Sequence, residues 1–405
     1  MQFSVSVFRF ASFVLLIGLA SPCLAQSALT SQIQTIGQPE RTVSLNEFPL
    51  SGQWTGPGQN IDVSQIVRFG NPGLIKEDSV VALEDGSYFA AKELRTEGVT
   101  LHAYCQLWDE MQVPLRPLRG ILLRAHLDPD QTRQSLDRIH NYQGSHDRLL
   151  LSNGDYIDGT FRNLSALKVE FQVGEKSLEL DRRRIEEIYF AQTSATSAPP
   201  QQGVWIGFRD GSMFLAQNIR LADDRVTLQM RSGFALRSSA LENAYAYMVY
   251  LRPLGNDVRY LSDLDAIGFK TLGFLAPSWE YKKDRNILGG TLKSDGYISQ
   301  KGIGLHATAR LAYRVEASDA RFKAKVGIDD DTDGAGSVVF KVYVSETGSQ
   351  WKPVFESPIV RGGDLPVDVD VPVKGMKGIA LVVEFADGAD VLDHANWFDA
   401  RFEPE

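Results

Sequence analysis

Cysteine is nearly absent, with two in 405 residues. That excludes a disulfide-framework fold and any cysteine-based zinc module. Positive charge is short as well: 42 Lys and Arg stand against 51 Asp and Glu, a net of −9. A net acidic chain with no basic block repels phosphate backbones and anionic head groups, so no nucleic-acid partner and no lipid surface is expected. Beyond the N-terminus no apolar stretch approaches the ~18 residues of a spanning helix, so no membrane span is expected. The short signatures of catalysis are missing too: no G-x-S-x-G, no Walker loop, no H-E-x-x-H, and no G-x-G-x-x-G after a strand. Carboxylate pairs carry no weight without geometry in so acidic a chain. The chain reads as a non-enzyme.

What is present begins with a leader. Arg9, the apolar run 10–20 (FASFVLLIGLA) and the small-residue stretch ending at Ala25 form a secretory signal over residues 1–25. The expected location is therefore exported: periplasm, cell surface or medium. Cys23 leaves with the leader. Cys105 remains, among Leu101, Tyr104, Leu107 and Trp108, as a small buried hydrophobe.

The middle of the chain repeats one pattern: an apolar strand, an Asp-Gly or Asn-Gly turn, and a second strand. The turns are Asp85-Gly86, Asn153-Gly154 and Asp210-Gly211. Such dipeptides between apolar runs predict hairpins with type I′ turns. Each copy ends in a polar step and a last apolar strand, and a degenerate copy precedes them, closing at Ile61–Phe69. The reading is an N-terminal β segment at 26–77, then β-units at 78–127, 146–191 and 203–255. A helical connector at 128–145 starts from Asp128-Pro129, and a Ser/Pro/Gln linker occupies 192–202. Short, sharply turned strands suit small SH3-like or Sm-like barrels.

Residues 256–405 change character, to longer β-branched strands with glycine-rich connections. In order come Tyr260-Leu261-Ser262-Asp263-Leu264, Lys301-Gly302-Ile303-Gly304-Leu305-His306-Ala307, Val326-Gly327-Ile328-Asp329-Asp330, Gly336–Val342, and Asp393-His394-Ala395-Asn396-Trp397-Phe398-Asp399-Ala400-Arg401. In this order and spacing the region resembles the NPCBM family of carbohydrate-binding modules. The resemblance implies a galactose-binding-like jelly-roll β-sandwich and a glycan-binding role. The fold class is thus all-β: repeated small β-units followed by a sandwich.

Sugar sites stack apolar sugar faces on flat, exposed rings. Trp279, Tyr281, Tyr297 and Trp351 lie in loop-like stretches outside the strand motifs and are the candidate ligand-binding residues; Trp397, inside the closing motif, is expected in the core. Asp329, Asp331 and Asp333 form D-x-D-x-D before Gly334, a spacing that can wrap Ca²⁺ with oxygen ligands or serve as a solvated turn. No cofactor is required. His306 and His394 are expected to be structural, bonded to backbone or Asp. Asp263, Asp393, Asp399 and Arg401 are expected to tie the first strand of the module to its last. Two functions remain open: an exported, non-catalytic binder of a polysaccharide or glycan with the repeats as spacer, and an envelope or extracellular assembly protein that meets protein partners through the β-repeats.

Overall fold

A computed structural model describes residues 29–45, 48–49, 52–75, 79–192, 202–222, 225–239, 247–272, 279–387 and 389–405. The leader at 1–25 and residues 193–201 of the linker lie outside the described residues. The fold is all-β apart from one described α-helix and short 3-10 turns.

Before the sandwich, four units follow the same plan. In each, the first and last strands pair antiparallel: Leu29–Thr35 with Ile66–Gly70, Ser79–Leu83 with Leu118–Leu122, Asp147–Leu151 with Ile185–Tyr189, and Gly203–Phe208 with Met248–Leu254. In the first and third, a fully described 3-10 turn precedes the last strand. Asp62 caps Val63–Gln65 and Asp181 caps Arg182–Arg184, each carboxylate accepting from the backbone N–H two residues on.

The turns differ from the type I′ expectation. At the first, Gly86 N–H bonds Leu83 O and Leu83 N–H bonds Ser87 O. Gly154 and Gly211 repeat this pattern, and only the glycine of each pair takes positive φ (+89°, +87° and +85°). A I′ turn needs positive φ at the preceding Asp or Asn as well. These are three-residue loops whose glycine forms the bulge. The Asp or Asn instead turns its side chain back: Asp85, Asn153 and Asp210 accept from the N–H of residues 87, 155 and 212.

The units are not separate beads. The last strands of the second and third pair with each other, Leu118–Leu122 with Ile185–Tyr189. Tyr88 pairs with Met213, and Tyr250 and Leu251 pair with Gly70 and Phe69. One continuous sheet results, with one apolar cluster running through all four units and Cys105 buried in it. Helix α1, Pro129–Asn141, is capped by Asp128 and lays Leu136 and Ile139 on the sheet's other face beside Val80, Ala82 and Leu122.

The sandwich has two main sheets. One orders Lys282–Lys283, Gly302–His306, His394–Glu403, Arg321–Ile328 and Val367–Pro372. The other orders Gly268–Thr271, Ala309–Arg314, Gly378–Phe385, Ser337–Ser345 and Lys352–Glu356. Trp397 is fully buried, edge-on to Phe340, in the core between them.

The sandwich docks on the repeats through polar contacts. Asn256 Nδ2 donates to Ile66 O (2.7 Å), Gly37 N–H to Glu403 Oε2 (2.9 Å), and Lys293 Nζ to Asp130 Oδ2 on α1 (2.7 Å). Here the expected clasp is corrected. Asp399 faces Arg68 of the repeats, Arg401 pairs with Glu403 of its own strand, Asp263 pairs with Lys301, and Asp393 accepts from Ser337 N–H. The first and last strands of the module are joined by backbone instead, Tyr260 opposite Arg401.

Candidate functional site

The antiparallel register places His306, at the end of one strand, directly opposite His394, at the start of the next. Opposed residues share a face, so the two imidazoles lie side by side, ring centroids 5.7 Å apart. Trp279 lies flat on His306, with centroids 5.0 Å apart and planes within 2°, and sits 6.2 Å from the His394 ring. The indole is only half-buried. Both histidines are tethered from behind: His306 Nδ1 meets Ala307 O (2.7 Å) and His394 Nδ1 meets Asp331 Oδ1 (2.8 Å). Burial lowers the His306 pKa, aided by its neighbour His394.

Behind the rings is a buried amide and carboxylate layer. Asp329 accepts from Asn286 Nδ2 (3.2 Å), Asn396 Nδ2 (2.5 Å) and Lys293 N–H (3.3 Å), and it caps the 3-10 turn Asp330–Thr332. Burial, joined by the Asp331 carboxylate, pushes Asp329 up to about 7 against the pull of these donors. Burial raises Asp393, next to His394, to about 6. Asp333 is exposed in a left-handed C-cap, away from this layer. Among the described residues no three His, Cys, Asp or Glu side chains gather as metal ligands would. Asp329 and Asp331 are contacted by N–H groups of Asn286, Lys293, Asn396 and His394.

The four candidate aromatics part company. Trp279 stands over the histidines. Tyr281 packs its ring on Phe269 (5.1 Å) against the core. Tyr297 is committed to the docking contact: its hydroxyl donates to Asp399 (2.6 Å) and accepts from Arg68 (2.8 Å). Trp351 is 36% exposed, with its ring edge against Gly378. Gly378 pairs with Arg314 while Ala309 pairs with Val383, so Trp351 marks the end of the sandwich opposite His306. The sequence reading missed the partners of Trp279. The only available signal was a histidine at the outer end of each of two strand motifs, and their register could not be read.

No helix among the described residues is long and apolar enough to cross a membrane. Alpha-1,3-galactosidase B of Akkermansia muciniphila is 32% identical over 128 residues, 31% of this chain and 15% of that protein. In the two curated relatives that match, the shared stretch spans 9% and 15% of the relative's own length. Among solved structures, the CBM51 of Clostridium perfringens GH95 in complex with methyl-galactose is 28% identical, covering 36% of this chain and 99% of that one, with TM-score 0.32. CBM51-2 with the INT domains of Clostridium perfringens ZmpB, in complex with GlcNAc, is 24% identical over 52% of this chain and 40% of that one, with TM-score 0.33. The family that the carboxyl third of the chain matches is the NPCBM/NEW2 domain, over residues 257–403.

Proposed function

We propose that this is an exported, non-catalytic glycan-binding protein whose sandwich holds a sugar at Trp279. The observation that carries the reading is the half-exposed indole fixed flat on His306, with His394 beside it. A ring held rigid on one side by an imidazole presents its other face to an apolar sugar face at little entropic cost. The NPCBM/NEW2 match over the sandwich supports the class of ligand, and the leader at 1–25 supports export. A relative named alpha-1,3-galactosidase makes galactosides the first ligands to test. One stacked ring and a few hydrogen bonds give Kd on the order of 10⁻⁴ to 10⁻³ M. Glycan-array binding by the full chain, followed by calorimetry of Trp279→Ala on the best galactoside, tests this. Loss of binding with an unchanged fold supports it, and unchanged affinity in the variant overturns the site.

A second reading, assembly through the repeats, is favoured by one feature. Leu127 and Leu167 are 94% and 76% exposed and line one surface depression with Leu123 and Ile185. Scattered exposed leucines are ordinary, but two sharing a depression suit a protein contact. Concentration-dependent sedimentation that Leu127→Ser abolishes would support it.

A further inference from the structure

Between helix α1, the repeats and the sandwich lies a cavity of about 700 Å³, within the range of small-molecule sites and placed where two bodies meet. Its charges do not balance. Three of its five cations are matched: Arg285 forks onto Asp137, Lys301 Nζ bonds Asp263 (2.6 Å) and Asp284 (2.7 Å), and Lys283 Nζ donates to Leu264 O (2.6 Å) and lies 3.7 Å from Asp265. Asp137, Asp263 and Asp284 are the carboxylates lining the cavity.

Arg133 and Arg252 line the same space and meet no carboxylate among the described residues. Arg133 lies over the Tyr88 ring (5.4 Å) and Arg252 over the Tyr260 ring (5.5 Å). Arg252 Nε is buried without an acceptor, as is Nε2 of His140, another lining residue. Burial, with Arg285 close by, lowers the Arg133 pKa. Burial would lower the Arg252 pKa, but Tyr250, Tyr260, Asp263 and Asp284 raise it through space, without a direct bond from either carboxylate. Half-buried guanidinium groups with donors left over are costly and are kept where an anion completes them. Trp205 supplies a half-buried indole to the same wall, the second requirement of a sugar site.

We propose that this cavity binds an anionic saccharide, a sugar carrying a carboxylate or sulfate, whose charge is balanced by Arg133 and Arg252 and whose ring contacts Trp205. The site is separate from Trp279 and does not rest on the reading given for it.

Calorimetry on the full chain at low salt tests this with four probes: glucuronate, glucose 6-sulfate, glucose and inorganic sulfate. The expected result is saturable binding of at least one acidic sugar, with glucose and inorganic sulfate each at least tenfold weaker. Whichever acidic sugar binds tighter identifies the anion. Arg133→Gln and Arg252→Gln should each weaken that binding at least tenfold, while Trp279→Ala leaves it unchanged and removes only galactoside binding. If either glutamine variant fails to fold, Arg133→Lys and Arg252→Lys, which keep the charge and lose the fork, should still weaken binding severalfold. No binding of either acidic sugar, equal binding of glucose, inorganic sulfate binding as tightly as the sugars, or undiminished affinity in folded arginine variants would each overturn the proposal.

Discussion

Arg68, on a strand of the first unit, donates from Nε to Oδ2 of Asp399, in the closing strand of the sandwich, at 3.1 Å. The pair joins two regions 331 positions apart in the chain. Neither group is left with spare valence. Arg68 also donates to Gly70 O (2.8 Å) and Glu40 Oε1 (2.8 Å), and Asp399 also accepts from Ser299 Oγ (2.9 Å) and Tyr297. A fully hydrogen-bonded buried pair is the arrangement in which mutual attraction offsets desolvation. It docks the sandwich on the sheet together with the contacts of Asn256 with Ile66, Gly37 with Glu403 and Lys293 with Asp130.

Removing one partner leaves the other charge buried and alone. Arg68→Ala is expected to weaken the docked state by ~3–5 kcal/mol. Scanning calorimetry should show the sandwich unfolding at lower temperature and apart from the repeats. A single transition at the wild-type temperature would mean that the pair does not hold the regions together.

Acid should act on the same contact. Burial alone would raise the Asp399 pKa, but Arg68, Arg401 and its hydrogen bonds hold it below the ordinary value. A carboxylate depressed in the folded state contributes stability above its unfolded pKa, near 3.9, and loses it as pH falls through the folded value. Asp329 runs the other way. Raised to about 7, its contribution is complete below about pH 4 and is lost as pH climbs to 7. Whatever the fixed cost of Asp329→Asn, the variant should therefore gain on the wild type as pH rises from 4 to 7, by up to about 4 kcal/mol for a three-unit shift. Urea unfolding at several pH values measures this, and a stability difference that does not vary with pH would refute the raised pKa.

The hairpin glycines separate backbone strain from crowding. Gly154 has φ +87° and open space where a Cβ would project, so Gly154→Ala should cost about 1–2 kcal/mol, from the left-handed backbone alone. Gly154→Val adds β-branching and should cost ~1–3 kcal/mol. Gly211 has nearly the same φ, +85°, but a Cβ there would sit 2.3 Å from Ile75 N and 2.4 Å from Leu74 C. Gly211→Ala should be clearly the more damaging of the two alanine variants in chemical denaturation. Equal effects would show that the 74–75 segment yields freely.

The local pattern was legible because it is local. Asp-Gly and Asn-Gly between apolar runs announce hairpins whatever surrounds them, and Asp128-Pro129 announces a helix start. The turn class was not legible, because the Asx side chain offers the N–H two residues on an acceptor and lets the first turn residue keep negative φ. Fusion of the units into one sheet depends on edge pairings such as Tyr88 with Met213, which connect residues far apart in sequence and leave no periodic trace. The same holds for the site. Tyr297 and Trp279 look alike in the chain, each a ring in a polar stretch. One is drawn into the docking contact by Arg68 and Asp399, and the other is left standing on His306. A structural role for the histidines follows from their place in strand motifs, and their Nδ1 contacts fit that. What they support becomes visible only once strand register brings them together.

Three tryptophans should respond in three different ways. Trp397 is fully buried against Phe322 and Phe340, so Trp397→Ala removes a large core ring and should destabilise the sandwich by ~3–5 kcal/mol. Trp279 stands outside that core, and its ring contacts among the described residues are two imidazoles at the sandwich end. Trp279→Ala should melt near the wild type yet lose retention on the galactoside that the wild type binds best, a fall of tenfold or more for a stacked ring worth at least about 1.4 kcal/mol. Trp351 lies at the other end, its edge against Gly378. Trp351→Ala should therefore change neither melting by more than a few degrees nor galactoside retention. Affinity electrophoresis and thermal melts on the three variants give the answer together. If Trp351→Ala abolishes retention and Trp279→Ala does not, the sugar sits at the opposite end of the sandwich. The histidine pair would then be a purely structural closure of its two strands.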